Sequence, residues 1–214
     1  EIGRQGRRGA FYENIQNSIR FLLSGNTGAI LVVLYATLFA LPAPFAPVHL
    51  LFINLLTDSL PAIAIGLEPH NKKVMYEKPR DIRQPLLSKE FATKVALEGI
   101  VIAFATIIAF EIGRQTDTIT ASTMAFATLC LARLFHGFNC RSKQPLYKIG
   151  LFSNKESWLA FLAGVILLHI VLLIPALSGV FEVAALDWSQ LQTIYALSII
   201  PLVVVQIWKA IAQR

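Results

Sequence analysis

A chain of 214 residues that is 55% hydrophobic and only 15% charged, with a mean hydropathy of +0.60, carries more apolar surface than a soluble domain of its length has use for. Its formal net charge of +6 does not point to nucleic acid, because the basic residues sit in short segments between long apolar runs. The composition excludes a soluble globular enzyme and leaves an all-α integral membrane protein with the lipid bilayer as its first partner.

The opening "EIGRQGRRGAF" is basic and Gly-rich, with neither the short apolar run nor the small-residue cleavage site of a secretory signal. From there "GRRGAFYENIQNSIRF" is polar yet helix-compatible. The first helix is therefore expected to begin ahead of the bilayer, with residues 1–18 as a cytoplasmic stalk lead-in. On periodicity alone an ordinary interfacial helix end fits as well.

About 20 apolar residues span a hydrocarbon core as a helix, and six segments qualify: 19–41, 48–67, 91–112, 119–138, 157–180 and 190–208. The first two are joined by "LPAPFAP", whose three prolines predict a tight turn and hence a helical hairpin over 19–67. Residues 68–90 form a basic loop, and 91–214 supply four further helices. No internal repeat is visible.

Lys and Arg set the orientation. With both ends on one side, the same-side segments carry Arg4, Arg7, Arg8 and Arg20, then seven from Lys72 to Lys94, then Arg141, Lys143, Lys148 and Lys155, then Lys209 and Arg214. The opposite loops carry Arg114 alone, beside Glu111, Asp117, Glu182 and Asp187. Both termini are expected in the cytoplasm.

A charge at the bilayer centre costs at least ~2.5–3.5 kcal/mol, so the polar residues inside the spans call for a reason. The densest group is Asn54, Thr57 and Asp58 in "LLFINLLTDSLPAIAIGL". Positions i, i+3 and i+4 share one helical face, which predicts that all three side chains point into one space. Pro61 has no N–H for the carbonyl of Thr57 and clashes with it, which predicts a local unwinding over Asn54–Pro61. Such irregular backbone is tolerated at membrane depth where it lines a cavity or site. An oxygen-rich patch with a carboxylate suits a hard cation such as Ca2+; an interhelical hydrogen-bond cluster is the structural alternative. In "SGNTGA", Asn26 adds an amide oxygen, while Gly25 and Gly28 read equally as close-packing positions. Arg133, in "LCLARLFHGF", either snorkels to the cytoplasmic surface or turns inward and stands near Asp58 in place of a cation.

Weaker signals read as structural. Lys94 and Glu98 form an i, i+4 pair. His49, His136 and His169 lie on separate segments and read as packing or interfacial residues. Cys130 and Cys140 match no zinc spacing and read as packing thiols.

"GRRGAFYENIQNSIRFLLSGN" followed by "PVHLLFINLLTDSLPAIAIGLEP" resembles the fifth and sixth transmembrane helices of P-type cation-transporting ATPases, most of all the calcium-pump group of the sarcoplasmic-reticulum and bacterial type. "VMYEKPRDIRQPLLS" resembles that family's loop between helices six and seven, and the likeness runs over essentially the whole chain as helices five to ten. The resemblance implies that Asn54 and Asp58 are ligands of a Ca2+ site completed by the fourth helix, that Thr57 and Asn26 serve a second site, and that Asp58 bridges the two. The second site also needs two glutamates, at positions that here hold Ala29 and Arg133. The expectation is therefore one Ca2+ per cycle, with Arg133 neutralising Asp58 when the site is empty, and protons as the counter-ion. The family's "DKTGT", "TGE" and "PEGLP" sequences do not occur in these residues. ATP and Mg2+ would thus act only in a full-length pump, through helices 1–4 and cytoplasmic ATPase domains, and the chain by itself is not expected to hydrolyse ATP. Such a pump would sit in the cell membrane as a translocase. A pump for Mn2+ or Mg2+, and a passive channel or secondary transporter, are the competing readings.

Overall fold

The computed structural model describes residues 2–69 and 85–213. Most of the loop expected at 68–90 lies outside the described residues. Six helical spans are long and apolar enough to cross a membrane, as the hydropathy pattern predicts. They are α1 (Ile2–Leu38); a compound span of α2 (Pro47–Phe52), a π-helical turn (Ile53–Thr57) and α3 (Ser59–Gly66); then α4 (Lys89–Arg114), α5 (Thr118–Asn139), α7 (Lys155–Leu173) and α9 (Trp188–Ala212). Two short helices, α6 (Leu146–Ile149) and α8 (Ser178–Phe181), sit in the connections. Among the described residues there is no strand. The fold class is that of an all-α membrane protein.

At 1.5 Å per residue, the 37 residues of α1 extend about 55 Å, well beyond a ~30 Å hydrocarbon core. The polar lead-in is part of one continuous helix. Pro47 occupies the first turn of α2, where its missing N–H costs nothing. Ser88, Asp117, Asn154 and Asp187 each accept a backbone N–H at the start of α4, α5, α7 and α9, the usual role of these residue types. The fifth span is shorter than expected. It ends at Leu173 instead of continuing to residue 180, because Pro175 forces Ile174 into an extended conformation (φ −89, ψ 110).

The centre of the bundle is α5. Of its most apolar window 78% is buried, against 22% for α9. Met124, Phe126, Leu129 and Leu134 on α5 join Ile53, Ile102, Phe110, Leu168 and Ile194 from its neighbours in one apolar core. Where α1 crosses α4, Gly28 faces the Gly99 carbonyl and Gly99 faces Thr27 and the Ser24 carbonyl, so close that a Cβ on either would overlap its neighbours. The small-residue reading of Gly28 is thus realised, and it brings the stretch around Asn26 against α4 and α5.

Two buried polar networks tie the helices together outside the apolar core. In the first, Arg141 forks Glu68, with Nε to Oε2 at 2.9 Å and Nη2 to Oε1 at 2.8 Å. Asn154 donates to the same carboxylate at 2.6 Å, and Asn14 of α1 donates to the Glu68 carbonyl at 3.0 Å. The end of α3 is thereby tied to the N-terminal half of α1 and to the start of α7. Arg141, which the sequence presents as a loop charge, is a buried structural residue.

The second network corrects the expected Lys94–Glu98 pair. Lys94 reaches Glu90 instead, at 3.7 Å, and Glu98 is forked by Arg20, with Nε 3.0 Å from both oxygens and Nη2 2.6 Å from Oε1. Position i+4 from Lys94 faces the bundle interior, where a lysine on the outer face cannot follow. His136 is likewise no mere packing residue. Its Nε2 lies 2.9 Å from Ser24 Oγ, 3.3 Å from Glu98 and 3.3 Å from Cys140 Sγ. His49 buries its ring against Phe126 and donates to the Phe181 carbonyl at 2.7 Å, and His169 lies 2.6 Å from the Tyr195 hydroxyl. Both cysteines are free and buried.

Candidate cation site

Asp58 follows the π-helical turn. Its N–H bonds the carbonyl of Ile53, five residues back, at 2.8 Å, and that carbonyl also accepts the Thr57 hydroxyl at 3.1 Å. Pro61 has no N–H to return to Thr57, while Ala62 resumes regular bonding with Asp58 at 3.2 Å. The span is thus widened by one turn rather than broken. Single π turns of this kind are frequent at functional sites.

The wide turn alters which residues share a face. Thr57 and Asp58 are buried, at 1% and 3% exposed, but Asn54 is exposed on the described chain. The expectation that all three enter one space fails for Asn54, because i, i+4 alignment holds for an α-helix and not across an i, i+5 turn.

Arg133 turns inward. Only 2% exposed, it pairs through Nη2 with Asp58 Oδ2 and donates from the same nitrogen to Asn26 Oδ1 at 3.1 Å. Snorkelling is excluded by this geometry. The three residues come from α5, the compound span and α1, and the sequence separations are 75 and 107 residues. Asn26 keeps an exposed flank. Ala29, one turn further along α1, is half-buried against the apolar core and offers no ligand.

Two atoms of the pair stay unpartnered. Asp58 Oδ1 and Arg133 Nε are buried among the described residues without a hydrogen bond. Buried polar atoms are nearly always satisfied, which makes the open carboxylate oxygen of Asp58 a candidate ligand position. What the arrangement can do follows from its donor set. It presents one carboxylate oxygen, an amide oxygen and a hydroxyl, oxygen donors that suit a hard divalent cation, with the Cys130 thiol beside the Thr57 side chain.

Glu98, His136 and Cys140 also bring ligand atoms within 4.8 Å of one another. That group is closed. Arg20 occupies both oxygens of Glu98. Asn139 Nδ2 bonds the Pro201 carbonyl and therefore presents a donor to His136 Nδ1 at 3.0 Å, which leaves the ring proton on Nε2. Ser24 donates to the Arg20 carbonyl at 2.7 Å and so accepts that proton. Lys209 donates to the carbonyls of Asn139 and Ser142. Sequence spacing does not reveal this network, whose partners come together only through the packing of α1, α4, α5 and α9.

Six apolar helices packed around a buried ion pair beside a distorted helix define the class of an all-α membrane domain. Residues 42–211 match the family model described as "Cation transporting ATPase, C-terminus". The chain is 38% identical to a calcium-transporting ATPase of Bacillus subtilis (strain 168) over 201 residues, covering 92% of this chain and 22% of that protein. Similar values hold for a Listeria monocytogenes calcium-transporting ATPase (38% over 187 residues; 83% and 21%) and for the human calcium-transporting ATPase type 2C member 1 (30% over 203 residues; 94% and 22%). The chain belongs to the cation-transporting ATPase family and corresponds to its C-terminal membrane part. It spans about a fifth of the length of the curated relatives it matches.

Proposed function

We propose that the chain is the cation-site membrane domain of an ATP-driven calcium pump that exports one Ca2+ per cycle, with protons moving the other way. The observation that carries this reading is the Arg133–Asp58–Asn26 cluster with Asp58 Oδ1 open. In the empty state the guanidinium offsets the Asp58 charge, which is otherwise too costly to bury. An arriving Ca2+ is bound by Asp58 Oδ1 and by the Thr57 hydroxyl oxygen, and Asn54, exposed on the described chain, joins them only once the π turn rearranges around the ion. Asn26 supplies an amide oxygen from α1. A second divalent ion would need carboxylates at positions 29 and 133, where an alanine and an arginine stand, so its attraction is replaced by repulsion.

Residues 19–67 act as the site hairpin and residues 91–214 as its support, while the stalk end of α1 and the loop at 68–90 relay changes from cytoplasmic ATPase domains. Those domains, with ATP and Mg2+, and helices 1–4 belong to the complete pump. The excess of Lys and Arg in the same-side segments supports cytoplasmic termini in a cell membrane. A secondary transporter built on paired broken helices is less well supported. Among the described spans, one π turn interrupts a helix, and Pro201 is carried inside α9 without ending it.

The test is phosphorylation of the complete pump by ATP at controlled metal concentrations. The expected result is a phosphoenzyme that forms with micromolar Ca2+ in the presence of Mg2+, on the order of sensor-type affinities. Phosphorylation that needs Mn2+ instead, or no added ion beyond Mg2+, would overturn the assignment of Ca2+.

A further inference from the structure

Three consecutive residues of α1 meet two residues of α5. Ser24 accepts the ring proton of His136 at 2.9 Å, and Asn26 accepts from Arg133 at 3.1 Å. His136 lies one turn along α5 from Arg133, so the two bonds fix both the register and the separation of the helices. Gly25 lies between them. A Cβ at this position would stand 2.6 Å from Arg133 Cζ and 2.7 Å from Nη2, with Nε nearer still. Real carbon contacts do not approach so closely.

An arginine end is normally flexible enough to yield to one methyl group. Here it has no such freedom. The guanidinium is enclosed, paired with Asp58 and bonded to Asn26 through one nitrogen, and its Nε has no partner among the described residues. The backbone of Gly25 closes the space beside that Nε. Yielding to a Cβ therefore means leaving Asp58, since α1 is held in place by Ser24–His136 and by the Gly28–Gly99 crossing.

We infer that Gly25 is a specificity-determining residue of the pump: the absent side chain is what allows Arg133 to occupy the place of a second cation beside Asp58. This rests on the proposed reading of Asp58 as a Ca2+ ligand and assigns the control of that ligand to a position with no ligand atom of its own. Gly25 acts through Arg133 and is a positioning residue, not a ligand.

A double-mutant cycle in the complete pump separates this role from helix packing. Gly25→Ala, Arg133→Ala and the double variant are compared by the Ca2+ concentration that half-saturates phosphorylation by ATP. Gly25→Ala is expected to shift that concentration by about fivefold or more in the same direction as Arg133→Ala, and in the Arg133→Ala background to shift it by less than about twofold, since no guanidinium remains to clash. A methyl group that merely spoiled helix packing would act alike in both backgrounds. No shift beside Arg133, a shift of opposite sign, or an equal shift in both backgrounds overturns the inference, and failure of both variants to fold counts as the last of these. The Ca2+-site reading itself fails separately, if Asp58→Asn leaves Ca2+ dependence intact.

Discussion

Asp58→Asn is expected to abolish Ca2+-dependent phosphorylation of the complete pump at concentrations that saturate the parent. The substitution keeps the shape of the side chain and removes its charge. A unit charge about 4 Å away is worth ~4 kcal/mol at an effective dielectric of ~20, and every ~1.4 kcal/mol is tenfold in affinity. The expected loss is therefore about a thousandfold or more for a doubly charged ion that has only one carboxylate on this chain's side of the site. An amide in place of the carboxylate would also leave Arg133 buried without a counter-charge, which by itself destabilises the fold. Asp58→Asn combined with Arg133→Gln removes both charges and separates the two effects. If binding depends on the carboxylate, the double variant folds with near-parent thermal stability in detergent and still lacks Ca2+ dependence. Recovery of Ca2+-dependent phosphorylation in that double variant would place the ligand elsewhere.

The largest effect on stability is expected at Glu98. This carboxylate is 2% exposed and is forked by Arg20, with His136 beside it. Glu98→Ala leaves the Arg20 guanidinium, 4% exposed, without its counter-charge in the bundle interior, and removal of one partner from a buried pair costs roughly 3–5 kcal/mol. Thermal unfolding in detergent, followed by tryptophan fluorescence or by loss of monodisperse protein, reads this directly. Replacing both partners by apolar residues of similar volume, Arg20→Met with Glu98→Leu, is expected to recover most of the loss, because the charge and its desolvation leave together. A Glu98→Ala protein as stable as the parent would mean that the Asn139 carbonyl, which already accepts from Arg20 Nη2 at 3.3 Å, is enough to hold the guanidinium.

The contrast between these two sites marks what one sequence reveals. Asp58 and Arg133 stand out because each is a charge inside an apolar run, and such a residue needs an explanation wherever the chain folds. Their pairing is one of two readings, and only the packing of α5 against the compound span decides it. Arg20 and Glu98 lie near the predicted ends of their spans, where a charge looks ordinary, and the 78 residues between them carry no periodic signal. The α-helical spacing rule puts Asn54 on the wrong face because it does not hold through a π turn. Pro61 announces a local unwinding in the right place, and the structure carries it as a widened turn. The spans themselves are legible, since hydropathy over 20 residues depends on the bilayer rather than on packing. The boundary at Leu173 differs from the hydropathy pattern for the sake of a proline already visible in the sequence.

The closeness of Gly25 to Arg133 belongs to a third kind of information. A glycine in a helix costs about 1 kcal/mol relative to alanine, and its sequence neighbours do not say whether it serves helix crossing or something else. Gly28 serves the crossing and Gly25 serves a guanidinium. Three positions apart, they differ in function because they face different helices.

Everything proposed for the site depends on one arginine standing where a second ion would otherwise bind. Counting bound Ca2+ per phosphorylation site on the complete pump, by equilibrium binding of labelled Ca2+ to protein whose active fraction is titrated by phosphoenzyme formation, tests this most directly. One ion per phosphorylation site is expected with Arg133 present. Two ions per site in that same protein would contradict the assignment of Arg133.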